Sequence, residues 1–135
     1  MTEADYDGEC FCGSVRFRVS GPVRNLCYCH CESCRRASGA PFVAWGTFAR
    51  ENFVLLHGKP AEYRSSPPVT RGFCAACGTT LTYCHDGRPG DIDVTLVTLD
   101  DPGEFVPKFH IWVQDKLPYI DIGDGLPAYE SVPGH

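Results

Sequence analysis

Cys10-Phe11-Cys12-Gly13, answered far downstream by Cys74-Ala75-Ala76-Cys77-Gly78, is the pair of stretches from which the fold is read. On an extended segment, residues i and i+2 point to the same side, so Cys10 and Cys12 aim two sulfurs at one point. The C-x-x-C-G turn does the same for Cys74 and Cys77, and Gly13 and Gly78 tolerate the left-handed backbone that such turns need. One pair from each stretch makes four thiolates, the donor set of a closed tetrahedral structural zinc site. Such a site ties distant parts of the chain together, and closing a long loop constrains the unfolded chain most. Zinc sites of this kind contribute on the order of 10 kcal/mol to folding, so loss of the metal is expected to unfold the protein.

Between the two pairs lies Cys29-His30-Cys31-Glu32-Ser33-Cys34-Arg35-Arg36. The C-x-C-x-x-C spacing supplies three thiolates from one compact segment. Three protein ligands leave a fourth position on tetrahedral zinc for water or substrate, which separates catalytic from structural zinc. The competing reading is closure by Cys27 or Cys84 as a fourth thiolate, and other pairings among the seven clustered cysteines stay open. Otherwise Cys27 and Cys84 read as small buried hydrophobes.

Nine cysteines among 135 residues call for a reason. The sequence shows no apolar leader and no apolar run long enough to span a membrane, so a cytoplasmic location is expected, where thiols stay reduced. An odd number of cysteines also argues against a disulfide framework, which leaves metal binding. The net charge of −5 and the lack of a basic stripe exclude nucleic acid as the expected partner, although a few local arginines can still receive a small anion. The length points to a single domain over residues 1–135.

Elsewhere the pattern is mainly β. Val15, Phe17 and Val19 alternate with Arg16 and Arg18, the period of a half-buried strand over Ser14 to Ser20. Strands are also expected over 42–48, 53–56, 61–65 and 105–113, and around Ile92, Val94 and Leu96, with a bulge or strand end near Val97. Residues 31–38 read as a short helical turn, residues 1–7 as a loose polar tail, and 117–135 as Pro- and Gly-rich loop. Many short strands between turn residues describe an all-β architecture with little helix.

The ordered set of motifs resembles one known family. It comprises Gly8-x-Cys10-x-Cys12-Gly13, Cys29-His30-Cys31-x-x-Cys34-Arg35, Arg71-Gly72-Phe73-Cys74 with Cys77-Gly78, and His110-Ile111-Trp112-Val113. From about residue 8 to 127 the chain is similar to the glutathione-dependent formaldehyde-activating enzyme family, which also contains the centromere protein V domain. The resemblance implies a β-tent of small antiparallel sheets organised around two zinc ions. It matches Cys10, Cys12, Cys74 and Cys77 to structural zinc ligands, and Cys29, Cys31 and Cys34 to ligands of a catalytic zinc. It also implies a carbon–sulfur lyase activity, with glutathione as the small-molecule thiol condensed with formaldehyde to S-(hydroxymethyl)glutathione.

Three thiolates on one divalent ion carry a net charge near −1, and Arg35 or Arg36 could offset it or clasp a substrate carboxylate; the plain alternative is a solvated arginine. His110 and Trp112, on one face of an expected strand, could line the pocket, with His110 carrying a proton; a packed, satisfied histidine is the alternative. His30 is expected to point away from the metal, and Tyr28, Phe42 and Trp45 to be core. Against the enzyme reading stand a non-catalytic interaction module with both zinc ions structural, and a zinc enzyme with another small substrate.

Overall fold

The computed structural model describes residues 4–133. Its strands are β1 (Asp5–Glu9), β2 (Arg16–Ser20), β3 (Arg24–Cys29), β4 (Val43–Ala49), β5 (Phe53–His57), β6 (Ala61–Ser66), β7 (Val69–Phe73), β8 (Thr80–His85), β9 (Asp91–Thr95) and β10 (Phe109–Ile111), with one short helix, α1 (Glu32–Ser38). They form a three-stranded antiparallel sheet in the order β1-β2-β5 and a seven-stranded sheet in the order β10-β3-β4-β9-β8-β7-β6. The larger sheet is mixed, because β10 runs parallel to β3 while its other pairs are antiparallel. The architecture is mainly β, as the turn-rich pattern indicates.

The expected alternation in β2 is seen directly. Phe17 and Val19 are completely buried, whereas Arg16 and Arg18 turn outward to Glu9 (2.6 Å) and Asp7 (2.7 Å) on β1. Those pairs sit in register, Glu9 opposite Arg16 and Asp7 opposite Arg18, and they correct the reading of the N-terminus. Residues 5–9 are a paired strand rather than a loose tail, held by cross-strand charge pairs that carry no apolar period; residues 1–3 lie outside the described residues. Phe17 and Val19 pack with Phe48 of β4, Ile92 and Val94 of β9, Leu81 of β8 and Leu96 in the core between the sheets.

Alternation along the strands sends the other face of the large sheet elsewhere. Cys27 and Cys29 of β3, Trp45 and Thr47 of β4, Asp93 of β9, Tyr83 of β8 and Arg71 of β7 line one cavity. Register aligns them: Cys27 pairs with Trp45, Thr47 with Asp93, Asp93 with Tyr83, and Tyr83 with Arg71.

One further expectation changes, and another is settled between its two alternatives. The strand expected over 105–113 is only Phe109–Ile111, because the backbone turns left-handed at Trp112 (φ 56°) into a 3-10 turn. The phase slip near Val97 is a strand end, with β9 closing at Thr95 before a 3-10 turn at Leu96–Thr98. The C-terminal segment is loop, as expected, but it is tied down, with the Trp112 amide donating to the Ser131 carbonyl (2.8 Å) and the Tyr129 amide to the His110 carbonyl (3.0 Å). Residues 134–135 lie outside the described residues.

Candidate metal centres

Cys10 and Cys12 sit in the turn between β1 and β2, and Cys74 and Cys77 in the turn between β7 and β8. Both turns use glycine where φ is positive, Gly13 at 80° and Gly78 at 83°. The four sulfurs lie within 4.8 Å of one another. The Cys10 and Cys12 sulfurs are 3.7 Å apart, and those of Cys12 and Cys74 3.8 Å. A tetrahedron of Zn–S bonds of ~2.3 Å has edges of ~3.8 Å, so the spacing fits a zinc ion. All nine cysteines are free thiols. The Ser14 hydroxyl lies 3.0 Å from the Cys12 sulfur and 3.2 Å from that of Cys74, while the Val15 amide donates to Cys10 at 3.3 Å. The Thr79 hydroxyl and amide hold the Cys77 thiol down to about 5, which favours at that residue the thiolate that metal binding requires.

The second cluster is built by one strand end and one helix start. Cys29 ends β3, and Cys31 is the N-cap of α1, its sulfur accepting from the Cys34 amide at 3.3 Å. The left-handed Gly39 (φ 68°) closes the helix after two turns. The sulfurs of Cys29, Cys31 and Cys34 again lie within 4.8 Å of one another, and among the described residues no fourth His, Cys, Asp or Glu shares that spacing. The neighbouring thiols, and after them Arg71, hold Cys34 down to about 3. All three line a cavity of about 800 Å³ walled by Trp45, Tyr83, Phe109, Ile111 and Trp112. That volume suits a small-molecule ligand. Both clusters could hold a metal ion, and the second lines the 800 Å³ cavity.

A model of the family described as "Glutathione-dependent formaldehyde-activating enzyme" matches residues 5–115. The chain belongs to this family. An uncharacterized lyase of Schizosaccharomyces pombe is 32% identical over 81 residues, 60% of this chain and 58% of that protein. The match therefore spans less than two thirds of that relative's length. A Halomonas elongata protein named "Putative glutathione-dependent formaldehyde-activating enzyme" is 27% identical over 129 residues, covering 86% of this chain and 80% of its own. A crystal structure of a Rhodobacter sphaeroides protein superposes with a TM-score of 0.57 at 20% identity, covering 91% of this chain and 98% of that one, a likeness of fold.

The formaldehyde-activating family's motif residues do not all gather at the cavity. Arg35 turns to a separate surface hollow with Arg36, Pro41 and Tyr119. His110 is buried behind β3, where its Nε2 meets Asp124 Oδ2 at 2.7 Å and its Nδ1 meets His30 Nε2 at 2.9 Å. Asp124 accepts the proton of His110 Nε2, so His110 Nδ1 accepts from His30. His30, completely buried, faces away from the cluster, its ring tilted against that of Phe42 with centroids 5.0 Å apart. Only Trp112 of the expected pair reaches the cavity, because the left-handed turn breaks the alternation. Trp45 is both buried and a cavity wall, while Tyr28 and Phe42 pack on the two histidines. Cys27 lines the cavity outside the metal group; burial pushes its thiol up to about 12. Cys84 packs against the main core. The cation that does meet the cluster is Arg71, whose two terminal nitrogens each lie 3.8 Å from Cys34 Sγ. Its only signal in the sequence is its place three residues before Cys74.

Proposed function

We propose that the protein is a zinc-dependent enzyme of carbon–sulfur lyase type that joins glutathione to formaldehyde as S-(hydroxymethyl)glutathione. The observation that carries this reading is a cluster of three thiols, lacking a fourth protein donor among the described residues, at the wall of a ligand-sized cavity. Family membership and the names of the two relatives support the choice of substrates. Cys29, Cys31 and Cys34 would hold the zinc, which would supply Lewis acidity that favours the thiolate form of a thiol substrate.

The chain's own part is to bind, orient and shield. Trp45, Phe109, Ile111 and Trp112 offer apolar walls, and Ser65, Ser66 and Tyr83 offer hydroxyls that fix a polar substrate. In the reaction the thiol sulfur forms a bond to the carbonyl carbon, the carbonyl π pair moves to oxygen, and the oxygen takes up a proton equivalent to the one the thiol released. His85 borders the same cavity, and its Nδ1 accepts the Gly87 amide at 2.9 Å. Nε2 therefore carries the ring proton and can donate a hydrogen bond to the developing alkoxide oxygen, which takes its proton from solvent.

Exchange NMR with labelled formaldehyde and glutathione tests the assignment. Zinc-loaded protein should speed equilibration of the hydroxymethyl adduct, and glutathione should shift the resonances of Trp45 and Trp112. An exchange rate equal to the protein-free control, with both indoles unmoved, refutes it.

A further inference from the structure

Arg71 is 6% exposed, yet none of the carboxylate ion pairs of the described residues includes it. Its Nε donates to Ser65 Oγ (3.1 Å), its guanidinium carbon lies 5.1 Å from the centroid of the Tyr83 ring, and both terminal nitrogens converge on the Cys34 sulfur at 3.8 Å. A serine hydroxyl and an aromatic face solvate a cation only in part, and burying an uncompensated charge costs several kcal/mol. The buried guanidinium therefore requires negative charge beside it, and the groups that can provide it are the cysteines of the second cluster. Three thiolates and one divalent ion sum to −1, which one guanidinium cancels.

We propose that Arg71 is the counter-charge of the three-cysteine centre, a positioning residue that raises its affinity for a divalent ion by neutralising the set and holding Cys34. The proposal rests on the reading that Cys29, Cys31 and Cys34 hold zinc. The geometry also explains the choice of side chain. The planar fork puts two N–H groups on one sulfur while its face stacks on Tyr83, which the single ammonium of a lysine cannot do. Arg35, next in sequence to the last ligand, is not so placed.

The test is zinc affinity, measured at each site by competition with a chromophoric chelator, with the closed site as internal control. Arg71→Met should weaken the second site about 10- to 100-fold, the usual cost of losing a residue that supports a metal ligand, and leave the closed site within about twofold. Arg71→Lys, which keeps the charge but not the fork, should fall between the parent and Arg71→Met at the second site and match the parent at the closed site. Unchanged second-site affinity in Arg71→Met overturns the proposal, and so does an equal loss in the Met and Lys variants, which makes packing on Tyr83 the cause. If Arg71→Met also loses the closed-site ion, the Lys variant decides: a loss under about tenfold supports the charge role and a larger one overturns it. Parent protein that binds no metal at the second cluster overturns the zinc reading itself, whereas a parent that binds zinc only as tightly as Arg71→Met overturns only the role of Arg71.

Discussion

Removing two cysteines from each cluster should destabilise the protein unequally, because the two clusters close loops of different length. The matched variants are Cys74→Ser/Cys77→Ser and Cys29→Ser/Cys31→Ser, each replacing one buried and one half-buried cysteine. Serine preserves the N-cap at position 31, so the second variant does not also unwind α1. In the closed site, Cys12 and Cys74 are 62 residues apart, and with closure entropy scaling as (3/2)RT ln n that link is worth ~3.7 kcal/mol. The second cluster spans ~5 residues, for which the same relation gives ~1.4 kcal/mol. The difference, ~2 kcal/mol, corresponds to ~8 °C in Tm for 135 residues at ~2.1 cal/mol/K per residue. Thermal and urea unfolding with free zinc held in excess measure it as the least gap to be seen, since Cys74→Ser/Cys77→Ser also forfeits the ion's own folding energy and a variant with no cooperative transition shows the larger loss. Metal analysis should find two zinc ions in the parent and one in Cys29→Ser/Cys31→Ser. Equal losses of stability, or a greater loss in Cys29→Ser/Cys31→Ser, would refute the assignment of a long-range clip to the first cluster and an open site to the second.

Two other perturbations address the scaffold behind the cavity. Asp124→Ala leaves the buried His110 Nε2 donor without its acceptor and should cost ~1–3 kcal/mol in urea unfolding. Asp124→Asn keeps an acceptor oxygen and should cost clearly less; equal costs would show that the contact does not hold His110. Gly46→Ala places a Cβ 2.6 Å from Leu96 Cδ2 and 3.0 Å from Val23 Cγ2 in the middle of β4. With Leu96 buried, the overpacking should cost ~1–3 kcal/mol and broaden the Trp45 indole resonance; a neutral substitution would mean that the core yields.

The features legible in the sequence are those whose physics is local. Cysteine spacing determines which sulfurs one turn can bring together, so the two pairs and the Cys29, Cys31, Cys34 trio are legible, whereas the meeting of Cys10 and Cys12 with Cys74 and Cys77 is long-range and spacing leaves it open. Alternation at Val15, Phe17 and Val19 reveals β2 because one face of that strand is wholly buried. β1 is not legible, since its stability comes from Asp7 and Glu9 meeting arginines on another strand, which no period in residues 5–9 records. The same holds for Arg71. A buried arginine looks in sequence like any surface arginine, and only register, Arg71 opposite Tyr83 and both beside α1, brings it to Cys34. His110 and Trp112 are misplaced together because strand alternation assumes a continuous strand, and one residue of left-handed backbone separates their faces.

The closed cluster does more than hold the chain ends of two hairpins. It brings the β1–β2 turn of the small sheet against the β7–β8 turn of the large one, so an ion held there would clip together the two layers that enclose the core. The Cys74 amide donates to the Thr79 carbonyl at 3.0 Å, and the Gly78 amide to the Cys74 carbonyl at 2.8 Å, which makes that turn rigid. β7 enters the turn directly from Arg71, two residues before the strand ends. On its far side the hairpin touches α1, the Thr80 hydroxyl donating to the Ala37 carbonyl at 3.2 Å. The guanidinium on Cys34 is thus positioned from both directions, by the clipped turn after β7 and by the helix that carries Cys34 itself. The hairpin that carries two of the first cluster's four sulfurs therefore also carries the guanidinium that meets the second cluster at Cys34.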